Sequence, residues 1–277
     1  AVGDGPSDVG IGDFIHTSMG PDFAVACTNA NSVEVFGNQY TSNPPFTQVG
    51  SVYASSPSGI DPGDVGDTKD LDDYVITSTN TNDVYLRDGD GLGGVYGMLY
   101  TPVDVGSMPV AQAVADFDAD GLDDVVTVNQ VDDTWSLIRD GGNGSESFVL
   151  GGDPSDVVTG DIDGDGDPDV VFVAVDDGET ETAGDRVIMV GRNDTEFAGI
   201  HTINRAGLVG AGTDPWLVDM GDIDGDGDVD LVAVTSGSGL RGSWAITIFD
   251  QVPVETPCTG DLNGSGSVDV ADLLAVI

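Results

Sequence analysis

Basic residues are nearly missing from this chain. Its 277 residues hold 7 Lys and Arg and two His against 50 Asp and Glu, for a formal net charge of -43. With no basic face to neutralise phosphates, binding to nucleic acid is excluded. Long apolar runs are missing too. None approaches the roughly 20 residues that cross a bilayer, and an acidic surface is repelled by anionic headgroups, so no membrane insertion is expected. Glutamate is scarce in its turn: only six of the 50 acids are Glu, leaving 44 Asp. Asp favours turns and chelates hard cations through its short carboxylate, which points to calcium. A saline habitat also selects an acidic, Lys-poor surface, and the two readings are compatible. Catalytic equipment is thin, with His16, His201 and Lys69 far apart in sequence and no Gly-x-Ser-x-Gly motif. Spacing alone leaves a glycosidase-like Asp pair open, but the Asp residues are committed to loops, and a non-enzymatic protein is expected.

What is present is a repeat. An Asp-rich turn, a short apolar run, a polar turn and a second apolar run recur five times. Asp161 to Asp169 leads into Val170 to Val175 and then Arg186 to Val190; Asp222 to Asp230 leads into Leu231 to Val234 and then Trp244 to Phe249. Asp116 to Asp124 leads into Val125 to Val128 and then Trp135 to Ile138. Two degraded copies begin at Asp13 and Asp64, the second with Lys69 among its acids. The anchors Asp13, Asp64, Asp116, Asp161 and Asp222 each follow a proline by seven residues: Pro6, Pro57, Pro109, Pro154 and Pro215. A period near 50 fits a four-stranded propeller blade. The apolar runs are continuous rather than alternating, which fits strands covered on both faces. Tandem β-sandwiches also show many short strands, but a Greek key has no reason to repeat one proline, loop and strand order. The expected fold is therefore all-β, with residues 1–253 forming a β-propeller of about five four-stranded blades. Residues 254–277 follow as a linker and a short loop and helix. The tryptophans Trp135, Trp216 and Trp244 are expected to pack between blades.

Calcium takes six to eight oxygens, and a nine-residue loop with acids at positions 1, 3, 5 and 9 and Gly at 6 supplies them from one turn. Three loops fit: Asp116, Asp118, Asp120 and Asp124; Asp161, Asp163, Asp165 and Asp169; Asp222, Asp224, Asp226 and Asp230. Position 7 would lend a backbone carbonyl from Leu122, Asp167 and Asp228. The tail holds a twelve-residue loop of EF-hand spacing, with Asp261, Asn263, Ser265, the Ser267 carbonyl and Asp272 as oxygen donors.

The Asp-x-Asp-x-Asp-Gly-x-x-Asp loops followed by paired valines resemble the FG-GAP/VCBS repeats of integrin-type propellers and of many secreted bacterial proteins. The tail loop resembles one half of a type I dockerin, the calcium-dependent module that docks onto cohesin domains. The chain opens at Ala1 without a charged and then apolar leader, so any signal peptide is expected to have been removed or to lie outside the sequence. Export is expected because cytosolic calcium is too scarce to fill loops that lack a bidentate Glu. A closed ring would bring Cys27 and Cys258 side by side, and they are expected to form a disulfide. The triplets at Asn143 and Asn193 match the glycosylation pattern. The expected role is that of an extracellular or cell-surface adhesion or assembly module. Its partner would be a protein or glycan, with self-assembly through the apolar C-terminal helix; the alternative is a carbohydrate-binding or carbohydrate-degrading component.

Overall fold

A computed structural model of the chain describes residues 2–15, 20–38, 45–66, 72–92, 102–139, 142, 144–175, 186–193, 202–204, 213–223, 225, 227–237 and 244–249. Among them there is no helix, and hence none long and apolar enough to cross a membrane. The chain forms five antiparallel sheets in sequence order. The first holds β1 (Pro6–Gly12), β2 (Asp22–Cys27), β3 (Ser32–Asn38) and β4 (Phe46–Tyr53). The second holds β5 (Gly59–Gly63), β6 (Asp73–Ser78), β7 (Asp83–Arg87) and β8 (Val103–Asp104). The third is built from β9 (Pro109–Ala115), β10 (Asp124–Asn129), β11 (Thr134–Ile138) and β12 (Ser145–Val149). The fourth contains β13 (Gly152–Gly160), β14 (Asp169–Val175), β15 (Arg186–Arg192) and β16 (Thr202–Asn204). The fifth, from β17 (Thr213–Gly221), β18 (Asp230–Gly237) and β19 (Trp244–Phe249), has three strands among the described residues where four were expected.

Each sheet is a meander whose first strand is an edge, and these first strands pack in series, β1 on β5, β5 on β9, β9 on β13 and β13 on β17. The arrangement is β-propeller-like, and each sheet is called a blade below. Second strands lie between two neighbours and under two blades. Every residue of β6 and β10 is buried, which explains why these segments read as unbroken apolar runs. Four of the repeated prolines, Pro6, Pro109, Pro154 and Pro215, belong to the edge strands, where a missing N–H is tolerated, while Pro57 precedes β5. At Pro6, Pro109 and Pro215 the register slips locally, and it slips again across the stretch holding Pro154. The second hairpin turns of blades 1 to 3 place Asn31, Asn82 and Asp133 at φ of 53°, 58° and 55°, a left-handed conformation that Asn and Asp tolerate best after glycine.

The core lies between blades rather than in one centre. Phe14, Ala24, Ala26, Val33 and Val35 meet Ile60, Tyr74, Ile76 and Tyr85 between blades 1 and 2, with Phe14 stacked on Tyr74 at 4.8 Å. Trp135 is buried between blades 3 and 4, its ring 4.5 Å from Phe148 and 5.6 Å from Phe172, which bears out its packing role. Trp216 is 38% exposed but bridges the next junction, where the buried Arg186 lies 3.9 Å over its ring and pairs with Asp153. The Trp244 side chain, His16, His201 and Lys69 lie outside the described residues.

Two expectations meet the structure differently. Asn193 is buried; its side-chain amide donates to the Phe117 carbonyl at 2.8 Å, tying blade 4 to blade 3. Its triplet is therefore not a glycosylation site, since a glycan needs an exposed asparagine, and Asn143 lies outside the described residues. Cys27 is a buried free thiol. Its expected partner, Cys258, lies outside the described residues, as do Asp261, Asn263, Ser265, Ser267 and Asp272.

Candidate metal centre

Each Asp loop joins the first strand of a blade to its second, and the local sequence dictates its shape. Position 1 curls the turn around its own carboxylate. Asp161 accepts from the N–H groups of Gly164 at 2.8 Å, Asp165 at 3.1 Å and Gly166 at 3.0 Å. Asp116 accepts from Asp120 at 3.2 Å and Gly121 at 2.9 Å, and Asp222 from Gly225 at 2.7 Å and Gly227 at 3.2 Å. To present those N–H groups inward, positions 4 and 6 adopt positive φ: 77° and 99° at Gly164 and Gly166, 85° and 101° at Gly225 and Gly227. Glycine takes these angles without strain. In the third blade position 4 is Ala119 at 57°, a costlier choice. Leu122 and Asp167, at position 7, are fixed by N–H bonds to Asp120 and Asp165 at 2.8 and 3.0 Å.

The carboxylates converge. Oxygens of Asp116, Asp118 and Asp120 lie within 4.8 Å of one another, as do oxygens of Asp161, Asp163 and Asp169. Such a cluster could hold a metal ion, and an all-oxygen donor set suits a hard one. In the fourth blade Arg192 reaches Asp163 at 3.1 Å, supplying part of that charge from the protein itself. In the fifth blade Asp222 and Asp228 are in place, while Asp224 and Asp226 lie outside the described residues.

Position 9 holds a surprise for the sequence reading. Asp124, Asp169 and Asp230 are buried at the first residue of the second strand, and each accepts the N–H of position 2: Phe117 at 3.2 Å, Ile162 at 3.1 Å and Ile223 at 2.9 Å. Asp169 also accepts from Asn193 N–H at 2.8 Å. Asp22 and Asp73, in the blades with degraded loops, hold the same place and accept from the N–H groups of Asn38 and Gly89 at 2.8 and 2.9 Å. This residue thus clamps backbone N–H groups in all five copies: Asp22, Asp73 and Asp169 reach across the blade to its third strand's end, and Asp124, Asp169 and Asp230 close their own loops. Asp169 stays near its loop's other acids, while Asp124 falls outside the cluster of Asp116, Asp118 and Asp120. Burial, reinforced by the Asp118 charge, pushes the Asp124 carboxyl up to about 7.

Sequence reasoning also passed over position 2. Phe14, Val65, Phe117 and Ile162 are all buried between blades, although Ile223 is exposed. The signal was there, an apolar residue after every anchoring Asp. A second carboxylate device joins neighbouring blades. Asp13 N–H donates to Asp72 at 2.6 Å while Asp72 N–H donates to the Asp13 carbonyl at 3.1 Å. Asp64 and Asp123 repeat the exchange at 2.8 and 2.7 Å. Between first strands, Asp8 accepts from Ile60 N–H at 2.9 Å and Asp156 from Val218 N–H at 2.8 Å.

Residues 116–172, which span the third and fourth Asp loops, match the family model of the FG-GAP-like repeat. No curated protein matches the chain. Among solved structures the chain is similar to BBS1N, solved in complex with ARL6DN, at 12% identity and a TM-score of 0.57, covering 88% of this chain and 65% of that one. It is also similar to Kuenenia stuttgartiensis hydrazine synthase, at 13% identity and a TM-score of 0.55, covering 90% and 64% respectively. This chain spans less than two thirds of the length of either, and at such identity the likeness is one of fold, a β-propeller-like arrangement carrying an FG-GAP-like repeat.

Proposed function

We propose that this protein is an exported, calcium-stabilised β-propeller that serves as a non-enzymatic adhesion or assembly module. The observation that carries the reading is the convergence of Asp116, Asp118 and Asp120, and of Asp161, Asp163 and Asp169, at matching places in adjacent blades. Carboxylates supply the donors there, which favours calcium over softer metals. A cation in each turn ties the first strand of a blade to its second and leaves the connecting loops to present a binding surface to a protein or glycan. The match to an FG-GAP-like repeat supports an interaction role outside the cell. Among the described residues the buried carboxylates are engaged as clamps and turn closures, which supports a role without turnover.

Two experiments test this. Calorimetric titration of the metal-free protein should show calcium binding at the propeller loops, lost stepwise in Asp118→Asn and Asp163→Asn. A glycan array run beside a polysaccharide hydrolysis screen, both in calcium, separates recognition from catalysis. Hydrolysis of any polysaccharide would overturn the non-enzymatic reading, and absence of calcium binding would overturn the metal assignment.

A further inference from the structure

The acid clusters of blades 3 and 4 are joined by a run of hydrogen bonds that passes through one residue, Asn193, just beyond the end of β15. Asp124 accepts the N–H of Phe117 at 3.2 Å, and the Phe117 carbonyl accepts the Asn193 side-chain amide at 2.8 Å. Asn193 N–H in turn donates to one oxygen of Asp169 at 2.8 Å, while the other oxygen accepts Ile162 N–H at 3.1 Å. Phe117 stands between Asp116 and Asp118 of the first cluster, and Asp169 is itself a member of the second. Arg192, the residue before Asn193, gives the fourth-blade turn another hold on the same strand end through Asp163 at 3.1 Å.

The link depends on which residue ends the third strand. Blade 2 has Gly89 there, whose N–H bonds to Asp73 but which has no side chain to send onward. Asn38 of blade 1 bonds to Asp22 in the same way, yet its amide turns back to the Pro21 carbonyl of its own blade at 3.2 Å. Asn193 reaches across the junction instead. It is 3% exposed, and its Oδ1 has no hydrogen-bond partner among the described residues. The amide is thus held by Phe117 and the main chain by Asp169, so the position of one residue registers both turns. Resting on the calcium reading above, we propose that Asn193 couples the loops of blades 3 and 4, so that calcium in either one raises the affinity of the other. Without a cation the like charges of each cluster work to open its turn. A cation that draws Asp161, Asp163 and Asp169 together fixes Asn193, and through it the Phe117 carbonyl, so less ordering remains for the Asp116 turn to undergo when it binds its own ion. The same argument runs in reverse, because coupling between binding sites is reciprocal.

The test uses the full-length, calcium-free protein titrated with calcium, with hydrogen exchange read by mass spectrometry on peptides covering residues 116–124, 161–169 and 222–230. Each peptide gives a calcium midpoint for its own loop. Asp163→Asn should move the midpoint of the 116–124 peptide to about tenfold higher calcium, and Asp118→Asn should move that of 161–169 by the same factor. In an Asn193→Ala background both cross-shifts should fall below about twofold. Where Asn193→Ala folds poorly, Asn193→Gly copies blade 2, keeping the main-chain bond to Asp169 and dropping only the amide. Two loops that bind calcium with midpoints indifferent to each other overturn the coupling and leave the metal assignment standing, whereas loops that never respond to calcium overturn both. Cross-shifts that survive the loss of the Asn193 amide overturn its role as the link. A shift of equal size in the 222–230 peptide on Asp118→Asn also overturns it, since that loop lies two blades away and would be reporting general destabilisation.

Discussion

Removing calcium should cost this protein much of its stability, and the loops give the size. Within one turn the oxygens of Asp116, Asp118 and Asp120 lie within 4.8 Å. At that distance each pair of charges repels by about 1 kcal/mol in bulk water and about 3 kcal/mol at an effective dielectric near 20. The partial exposure of these groups puts the real figure toward the lower end. Mass action gives an independent measure. A loop of the millimolar or submillimolar affinity usual in extracellular modules gains about 2 kcal/mol in roughly 10 mM calcium. Three loops then contribute about 6 kcal/mol, and a domain of this size shifts its melting temperature by about 2–4 °C per kcal/mol. Scanning calorimetry in calcium and in excess EGTA, at one ionic strength, should therefore differ by roughly 12–24 °C. Magnesium should recover little of it, since it demands octahedral geometry with short bonds. The fourth blade should depend least on the ion, because Arg192 already sits against Asp163. A melting temperature that ignores chelation would refute the whole line of reasoning.

Burial pushes Asp61 and Asp156 up to about 6, the Gln112 amide opposing the rise at Asp61 and the Asp8 charge adding to it at both. A carboxyl raised in the fold favours the protonated native state, so its contribution is fully present below pH 4 and is lost as pH climbs to about 6. In calcium-saturated protein, Asp61→Asn should therefore flatten the fall in stability between about pH 4 and 6, and an unchanged pH profile would refute the assignment. Asp22→Ala leaves the buried Asn38 N–H without its acceptor and should cost about 1–3 kcal/mol in denaturant unfolding, with calcium affinity unchanged. Gly160→Ala would place a Cβ 2.6 Å from the Met220 sulfur. It should destabilise the junction of blades 4 and 5 by about 1–3 kcal/mol, relieved when Met220 is shortened to Ala. Secretion from a glycosylating host should leave Asn193 unmodified, as peptide mass mapping would show.

The repeat was legible because each blade poses the same physical problem and solves it with the same residues. Central strands such as Val125–Val128 and Val170–Val175 announce themselves as apolar runs, since neighbouring blades cover both faces. Outer strands do not. β12, Ser145–Val149, is exposed over most of its length and reads as polar turn, because its outer edge meets water and little burial constrains its sequence. The site was legible in residue type and obscure in role. A carboxylate at position 9 serves equally as metal ligand and as acceptor for a buried N–H, and only the recurrence of Asp22 and Asp73 in blades without a full loop separates the two. The same comparison shows how the work is divided. Between blades 1 and 2 and between blades 2 and 3, the residue before the clamp is Asp72 or Asp123, which exchanges hydrogen bonds with the preceding blade's anchor. At the next two junctions that place is taken by Pro168 and Val229, whose side chains accept nothing. Those junctions rest on the apolar clusters around Trp135 and Val171, with Asn193 donating to the Phe117 carbonyl across the first and Val218 N–H donating to Asp156 across the second. The anchors of the two degraded loops, Asp13 and Asp64, thus carry this exchange, whereas for Asp116 and Asp161, anchors of complete acid loops, the corresponding residue of the next blade is Pro168 or Val229.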